Sequence, residues 1–269
     1  MTGLLFHGSG PRPRWRRWPW IVGLVLGAAA VALMASPRLR SAAVRQVATL
    51  AGDDGGEPGA LLRTPRGQRT VESVMAEIGP DTERLWRQRF ADRGLPWPPA
   101  HVTLLALKNE KRLEVWASHG PAWRRVAEYP IRAASGAAGP KLREGDRQVP
   151  EGRYRITAFN ANSSYHLSLK LDYPSADDLA RARRDGRDSP GSDIFIHGRA
   201  ASIGCLAMGD AVIEELWSLV YAAGRAYVDV LILPNDLRRG PPVTDMAGQP
   251  AWLPELYARL TRDAAALTE

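Results

Sequence analysis

The 269 residues hold a single cysteine, Cys205, at the end of the run Ile196-His197-Gly198-Arg199-Ala200-Ala201-Ser202-Ile203-Gly204-Cys205. A thiol attacks as thiolate, so it needs a base or a positive environment. His197 lies eight residues before Cys205, and the small, polar segment between them can fold the chain back on itself. Such a fold would set the imidazole beside the sulfur as a general base. Gly204 removes side-chain bulk where a carbonyl must approach, and the amides around Gly204 and Cys205 are then natural oxyanion donors. Gly198 and Ser202 are the loop residues expected to support this pair. A lone cysteine is otherwise a buried inert thiol or an intermolecular link. It cannot form an intramolecular disulfide or a two-cysteine redox centre. One cysteine and five scattered histidines also make a poor metal site, so neither metal nor cofactor is expected.

The elements that must position these residues follow from periodicity. From Thr70 the pattern is helical, with Val71, Val74, Met75 and Ile78 before Gly79-Pro80, and Leu85, Trp86 and Phe90 after it. His101–Leu107 and Lys111–Ala117 flank a short polar turn and predict a hairpin. Val126–Ala134 is a further strand. Arg153–Phe159 and Tyr165–Leu171 alternate, which would put Tyr165, Leu167, Leu169 and Leu171 on one face. Ser175 with Asp178 predicts a capping box opening a helix to about Gly186. Asp193–His197 reads as a compact strand. Asp210 reads as the N-cap of a helix to Gly224, followed by a strand over Ala226–Leu233 and a terminal helix over Leu253–Ala266. The sum is an α+β domain, mostly β with a few peripheral helices.

Charge separates the N-terminus from the rest. The chain carries 36 basic and 29 acidic residues. Residues 1–45 contain seven arginines and no acid, so the remaining 29 basic residues balance the 29 acids. A nucleic-acid binder should carry a basic stripe on its folded part, and no such excess remains. Arg12, Arg14, Arg16 and Arg17 precede an uncharged stretch over residues 18–36. At about 1.5 Å per residue it is long enough to cross a hydrocarbon core of roughly 30 Å. We read 1–45 as a signal-anchor or cleavable signal, 46–69 as a Gly/Pro-rich linker and 70–99 as a helical lead-in. Residues 100–235 form the catalytic domain, and 236–269 form a C-terminal extension with a helix. The arginines ahead of the apolar stretch predict a domain exported across the inner membrane to the periplasm.

The segment HGRAASIGC resembles the signature of the YkuD-type L,D-transpeptidases: His-Gly at a strand end, a loop, then Ser-x-Gly-Cys. Other pieces fit the same family in chain order: Leu113-Glu114-Val115-Trp116; Ser135-Gly136 with Gly139-Pro140-Lys141; the run from Glu144 to Tyr154; and Tyr165-His166-Leu167-Ser168. The resemblance implies a mostly β domain that acts on peptidoglycan stem peptides without metal or cofactor. It implies Cys205 as nucleophile, His197 as base and Gly204 in the oxyanion site. Arg199, Lys141 and His166 are the candidate substrate contacts. Many members carry Arg two residues after the cysteine, whereas this chain has Ala207 within Leu206-Ala207-Met208. That departure leaves the acyl acceptor open between an amine, giving a cross-link or protein attachment, and water, giving stem trimming or release of wall-attached protein. A non-catalytic wall-binding module is the remaining alternative, and it requires an unreactive Cys205.

Overall fold

The apolar strands expected in the middle of the chain pair as a hairpin at one end of a larger sheet. Strand β1 (His101–Leu107) lies antiparallel to β2 (Arg112–Ser118), with His101 opposite Ser118 and Leu107 opposite Arg112. The computed structural model describes residues 69–268. The expected anchor and nearly all of the linker lie outside them. Among the described residues no helix is long and apolar enough to cross a membrane.

Strand β3 (Trp123–Pro130) adds to β2, and β4 (Ala133–Ala134) follows. The sequence reads these as one strand. They part because the Ile131 amide donates to Lys111 while the Arg132 amide turns away to Ala207. Strands β5 (Gly152–Ser163), β6 (His166–Leu171), β7 (Phe195–His197), β8 (Leu206–Ala207) and β9 (Val228–Leu233) complete one nine-stranded sheet, ordered β3-β2-β1-β9-β5-β6-β7-β8-β4. The pairs β1/β9 and β7/β8 are parallel, and the other adjacent pairs are antiparallel.

Helices cover both faces, which explains why β1 is apolar at nearly every position. Val102, Leu104 and Ala106 join the core beneath α1 (Val71–Asp92) and α3 (Asp210–Ala223). Leu105 and Leu107 point the other way, against Leu253, Leu256 and Leu260 of α4 (Leu253–Ala265). Trp86 of α1 is fully buried, and its indole N–H donates to the Glu215 carbonyl of α3 at 2.8 Å. Removing such a side chain costs about 3–5 kcal/mol.

Helix α1 runs straight through Pro80. Proline removes the hydrogen bond to residue i−4, here Ala76. Ala76 and Pro80 both lie on the exposed side, where water can take the freed carbonyl. Val74, Ile78, Trp86 and Phe90 meanwhile hold the opposite side in the core. Helix α2 (Ala176–Arg184) opens on the predicted capping box between Ser175 and Asp178. Helix α3 corrects an expectation: its N-cap is Gly209, and Asp210 is its first residue. The Asp210 carboxylate turns back to accept the Arg199 amide at 2.8 Å.

Candidate active site

The positions of His197 and Cys205 follow from one pairing. In the parallel ladder β7/β8, Ile196 stands opposite Leu206 and His197 opposite Ala207. Side chains alternate along a strand. Ile196, Leu206 and Met208 enter the main core, so Phe195, His197, Cys205 and Ala207 share the other face. Strand spacing and rise place diagonal Cα atoms on that face about 8 Å apart, within reach of an imidazole and a thiol. Both side chains line one cleft of about 620 Å³.

The loop joining the strands is held at several points. The Gly198 amide donates to the Leu167 carbonyl at 3.1 Å, and the Met208 amide donates to the His197 carbonyl at 2.8 Å. A Cβ at Gly198 would lie 2.6 Å from Asp210 Oδ1 and 2.7 Å from the Tyr165 carbonyl oxygen, so close approach demands glycine there. Ser202 Oγ donates to the Cys205 carbonyl at 2.7 Å and accepts the Ser135 amide at 3.1 Å. Its hydroxyl therefore fastens the loop to β4's neighbourhood rather than orienting the His197 ring.

Burial sets the charge states. His197 is 1% exposed. Its Nδ1 lies 2.6 Å from the Gly198 carbonyl oxygen. A carbonyl can only accept, so Nδ1 carries the proton and Nε2 is the open acceptor. Burial depresses the imidazole pKa to about 4, against the opposing pull of Gly198. Cys205 is 5% exposed. Burial pushes its thiol up to about 12, opposed by the Phe195 backbone. Near neutral pH the resting pair is thus a thiol and a neutral imidazole, not a preformed ion pair. Tyr165 packs against both, its ring 4.6 Å from that of His197 and its side chain clustered with Phe195 and Cys205.

Gly204 is buried with φ +130°, a conformation other residues rarely adopt. Its amide faces Ser202 Oγ at 3.4 Å. The expected substrate contacts divide. Lys141 lines the cleft, but its ammonium is engaged by Asp146 at 2.5 Å and by the Arg143 carbonyl at 3.0 Å. His166 pairs with Glu214 of α3 at 2.7 Å and is not among the lining residues. Arg199 is exposed and also outside that lining. Among the described residues no three His, Cys, Asp or Glu side chains gather as metal ligands would.

Sequence reasoning missed Tyr165, Glu144, Arg147 and Asp193 as lining residues. Tyr165 precedes β6, so it leaves the face shared by Leu167, Leu169 and Leu171 and turns to Cys205. Asp193 sits beside β7 and pairs with Lys170 at 2.8 Å. Asp146 explains how Glu144 and Arg147 arrive. Its carboxylate accepts the Leu142, Arg143 and Gln148 amides at 2.9, 3.0 and 3.0 Å, together with Lys141. Burial alone would raise its pKa, but these donors hold it below the usual carboxylate range. These partners lie two to five residues from Asp146, and the run Glu144-Gly145-Asp146-Arg147 carries no signal for what the loop encloses.

A buried imidazole at the end of β7 and a buried thiol just before β8 thus line one cleft. Residues 101–232 match the model of YkuD, the L,D-transpeptidase catalytic domain. The candidate L,D-transpeptidase YafK, in two strains of Escherichia coli, is 32% identical over 138 residues, which are 49% of this chain. The chain spans about half the length of these relatives, 54%. Among solved structures, the helical cell shape determining protein Pgp2 of Campylobacter jejuni aligns at 19% identity and TM-score 0.42, over 62% of this chain and 56% of its own. L,D-transpeptidase 1 of Mycobacterium tuberculosis aligns at 12% identity and TM-score 0.29, over 49% and 62%.

Proposed function

We propose that this chain is a cysteine-dependent acyltransferase acting on peptidoglycan stem peptides. The observation that carries the reading is the β7/β8 register, with His197 and Cys205 on one face over one cleft in a segment that matches the L,D-transpeptidase family model. Sγ of Cys205 bonds to the carbonyl carbon at the L-centre of the stem's diamino acid while its proton passes to Nε2 of His197. The C–N bond to the terminal D-alanine then breaks, and the imidazolium returns the proton to the leaving amine. This leaves a thioester. An incoming amine, from a second stem or a wall-attached protein, loses a proton to Nε2 as it attacks, and the thiol is restored. Backbone amides near Gly204 and Cys205 serve the oxyanion. On this reading the domain works in the periplasm, tethered through residues 18–36 or released by cleavage after them.

Ala207 supports keeping water as the second acceptor. It lies fully buried on the Cys205 face and supplies no charge that would help seat an acceptor. The test is mass spectrometry of purified tetrapeptide muropeptides after incubation with the full chain, with and without an amine. Acyl exchange that Cys205→Ala abolishes supports the proposal, and full activity of Cys205→Ala overturns it. Trimmed stems alone identify hydrolysis. Alkylation rate does not separate an enzyme from a wall-binding module, because a buried thiol labels slowly in either.

A further inference from the structure

Four charged side chains line the cleft beside Cys205: Lys141, Glu144, Arg147 and Asp193. Two are committed. Lys141 is held by Asp146 at 2.5 Å, and Asp193 by Lys170 at 2.8 Å. Glu144 and Arg147 differ. Both are exposed, and among the described residues no ion pair or side-chain hydrogen bond engages either. They sit three residues apart on one loop, and that loop is fixed from within. Asp146, between them, spends its carboxylate on three loop amides and Lys141. Gln148 continues the anchorage by donating to the Ala137 and Gly139 carbonyls at 2.7 and 2.6 Å. Arg147 is held at φ +54° by this arrangement. One negative and one positive group are therefore presented into the cleft on a braced support, without a protein partner for either charge.

We propose that Glu144 and Arg147 together recognise a zwitterionic amino-acid end on the acyl donor. The inference rests on the acyl-transfer reading above and names a feature of its substrate. A diamino dicarboxylic acid built into the stem through one centre keeps a free ammonium and a free carboxylate at its other end. Arg147 offers a planar fork that meets a carboxylate in two parallel hydrogen bonds. Glu144 accepts from the ammonium. A braced loop loses little freedom on binding, so the contacts count toward affinity and selection. A donor with lysine at that position has the ammonium but no carboxylate, and it satisfies only half of the site.

The test uses the full chain carrying Cys205→Ala, so that peptide is bound and not consumed. Calorimetric titration compares four synthetic stem tetrapeptides: distal end intact, distal carboxylate amidated, distal ammonium acetylated, and both blocked. Adding Arg147→Ala is expected to weaken the intact and acetylated peptides about tenfold and to leave the amidated one unchanged. Adding Glu144→Gln should weaken the intact and amidated peptides and spare the acetylated one. Both side chains are exposed, so neither change threatens folding. Losses equal across all four peptides, no loss in any, or a parent that binds none of them would each overturn the inference. Parallel transfer assays with Cys205 present separate the two claims. Transfer without this discrimination removes the recognition site alone. Discrimination without transfer keeps the recognition site and removes the reaction.

Discussion

The Nδ1–H of His197 donates to the carbonyl oxygen of Gly198, the next residue, at 2.6 Å. The bond fixes the tautomer and leaves Nε2 unprotonated. Because burial holds the imidazole pKa near 4, the ring is neutral, as the proposed reaction requires, at any pH well above that. The Cys205 thiol, pushed up to about 12, stays protonated until far higher. We therefore expect kcat/KM to rise with pH through about 4 and then to run level from roughly 5 to 8, since this ratio reports the free enzyme's ionisations. A stopped-flow or discontinuous pH profile checks it. An acid limb near 6.5, or a bell closing near 8.5, would contradict the neutral pair.

The same burial has a consequence for stability. An ordinary histidine takes up its proton near 6.5, and His197 does so near 4. Between these values the unfolded chain binds a proton that the folded chain refuses, so stability falls as pH drops from 6.5 to 4. One pKa unit corresponds to 1.36 kcal/mol, so this group accounts for about 3 kcal/mol of loss. His197→Gln cannot take up the proton and should lack that part of the decline. Urea titrations of both proteins at several pH values measure the difference, and parallel curves would exclude the effect.

Gly198→Ala isolates the loop's geometry from its chemistry. The new methyl would press on the Tyr165 carbonyl, which is backbone, and on the Asp210 carboxylate that caps the Arg199 amide. Overpacking of this kind costs about 1–3 kcal/mol. Displacing His197 by even about 1 Å would cost on the order of a hundredfold in rate. The expected result is a modest shift in the denaturation midpoint with a disproportionate loss of kcat. A proportionate loss of folded protein and activity would mean that the glycine serves folding alone.

How much of this was legible in sequence depends on the range of the determining contact. The β1/β2 hairpin and the Ser175–Asp178 capping box rest on neighbours in sequence, and both were readable. His197 and Cys205 were legible as residue types at a spacing. Their relation in space was not, because it depends on β8, a two-residue strand too short to leave a periodic pattern. Tyr165 was assigned to a strand face by alternation, yet the turn before β6 reverses its direction. The helical pattern on both sides of Pro80 was readable too, and the core contacts of Val74, Ile78, Trp86 and Phe90 override the local propensity against proline. Arg147 and Glu144 gave no signal, since an exposed charge in a polar loop looks the same whether or not it faces a cleft.

The wall that carries this loop rests on a buried charge, and that gives the last prediction. Glu151 Oε1 accepts Lys108 Nζ at 2.9 Å and the Gly139 amide at 2.7 Å, while Oε2 accepts the Tyr257 hydroxyl of α4 at 2.8 Å. Lys108 also donates to the Gly139 and Val149 carbonyls at 2.7 and 2.9 Å. Residues 139–149 are thereby pinned to the end of β1 and to the C-terminal helix, which lies beyond the family match at 101–232. Glu151→Gln keeps the shape and removes the charge that offsets the buried ammonium. Breaking such a pair costs about 3–5 kcal/mol. Burial already lowers the Lys108 pKa, with Glu151 opposing, so the variant's ammonium should deprotonate more readily still. Its folded pKa then lies below the unfolded value, and stability must recover as pH rises between the two. Chemical denaturation at neutral and at alkaline pH should show a large deficit that shrinks toward alkaline conditions. A deficit independent of pH would assign the loss to the Gly139 and Tyr257 hydrogen bonds instead of the ion pair.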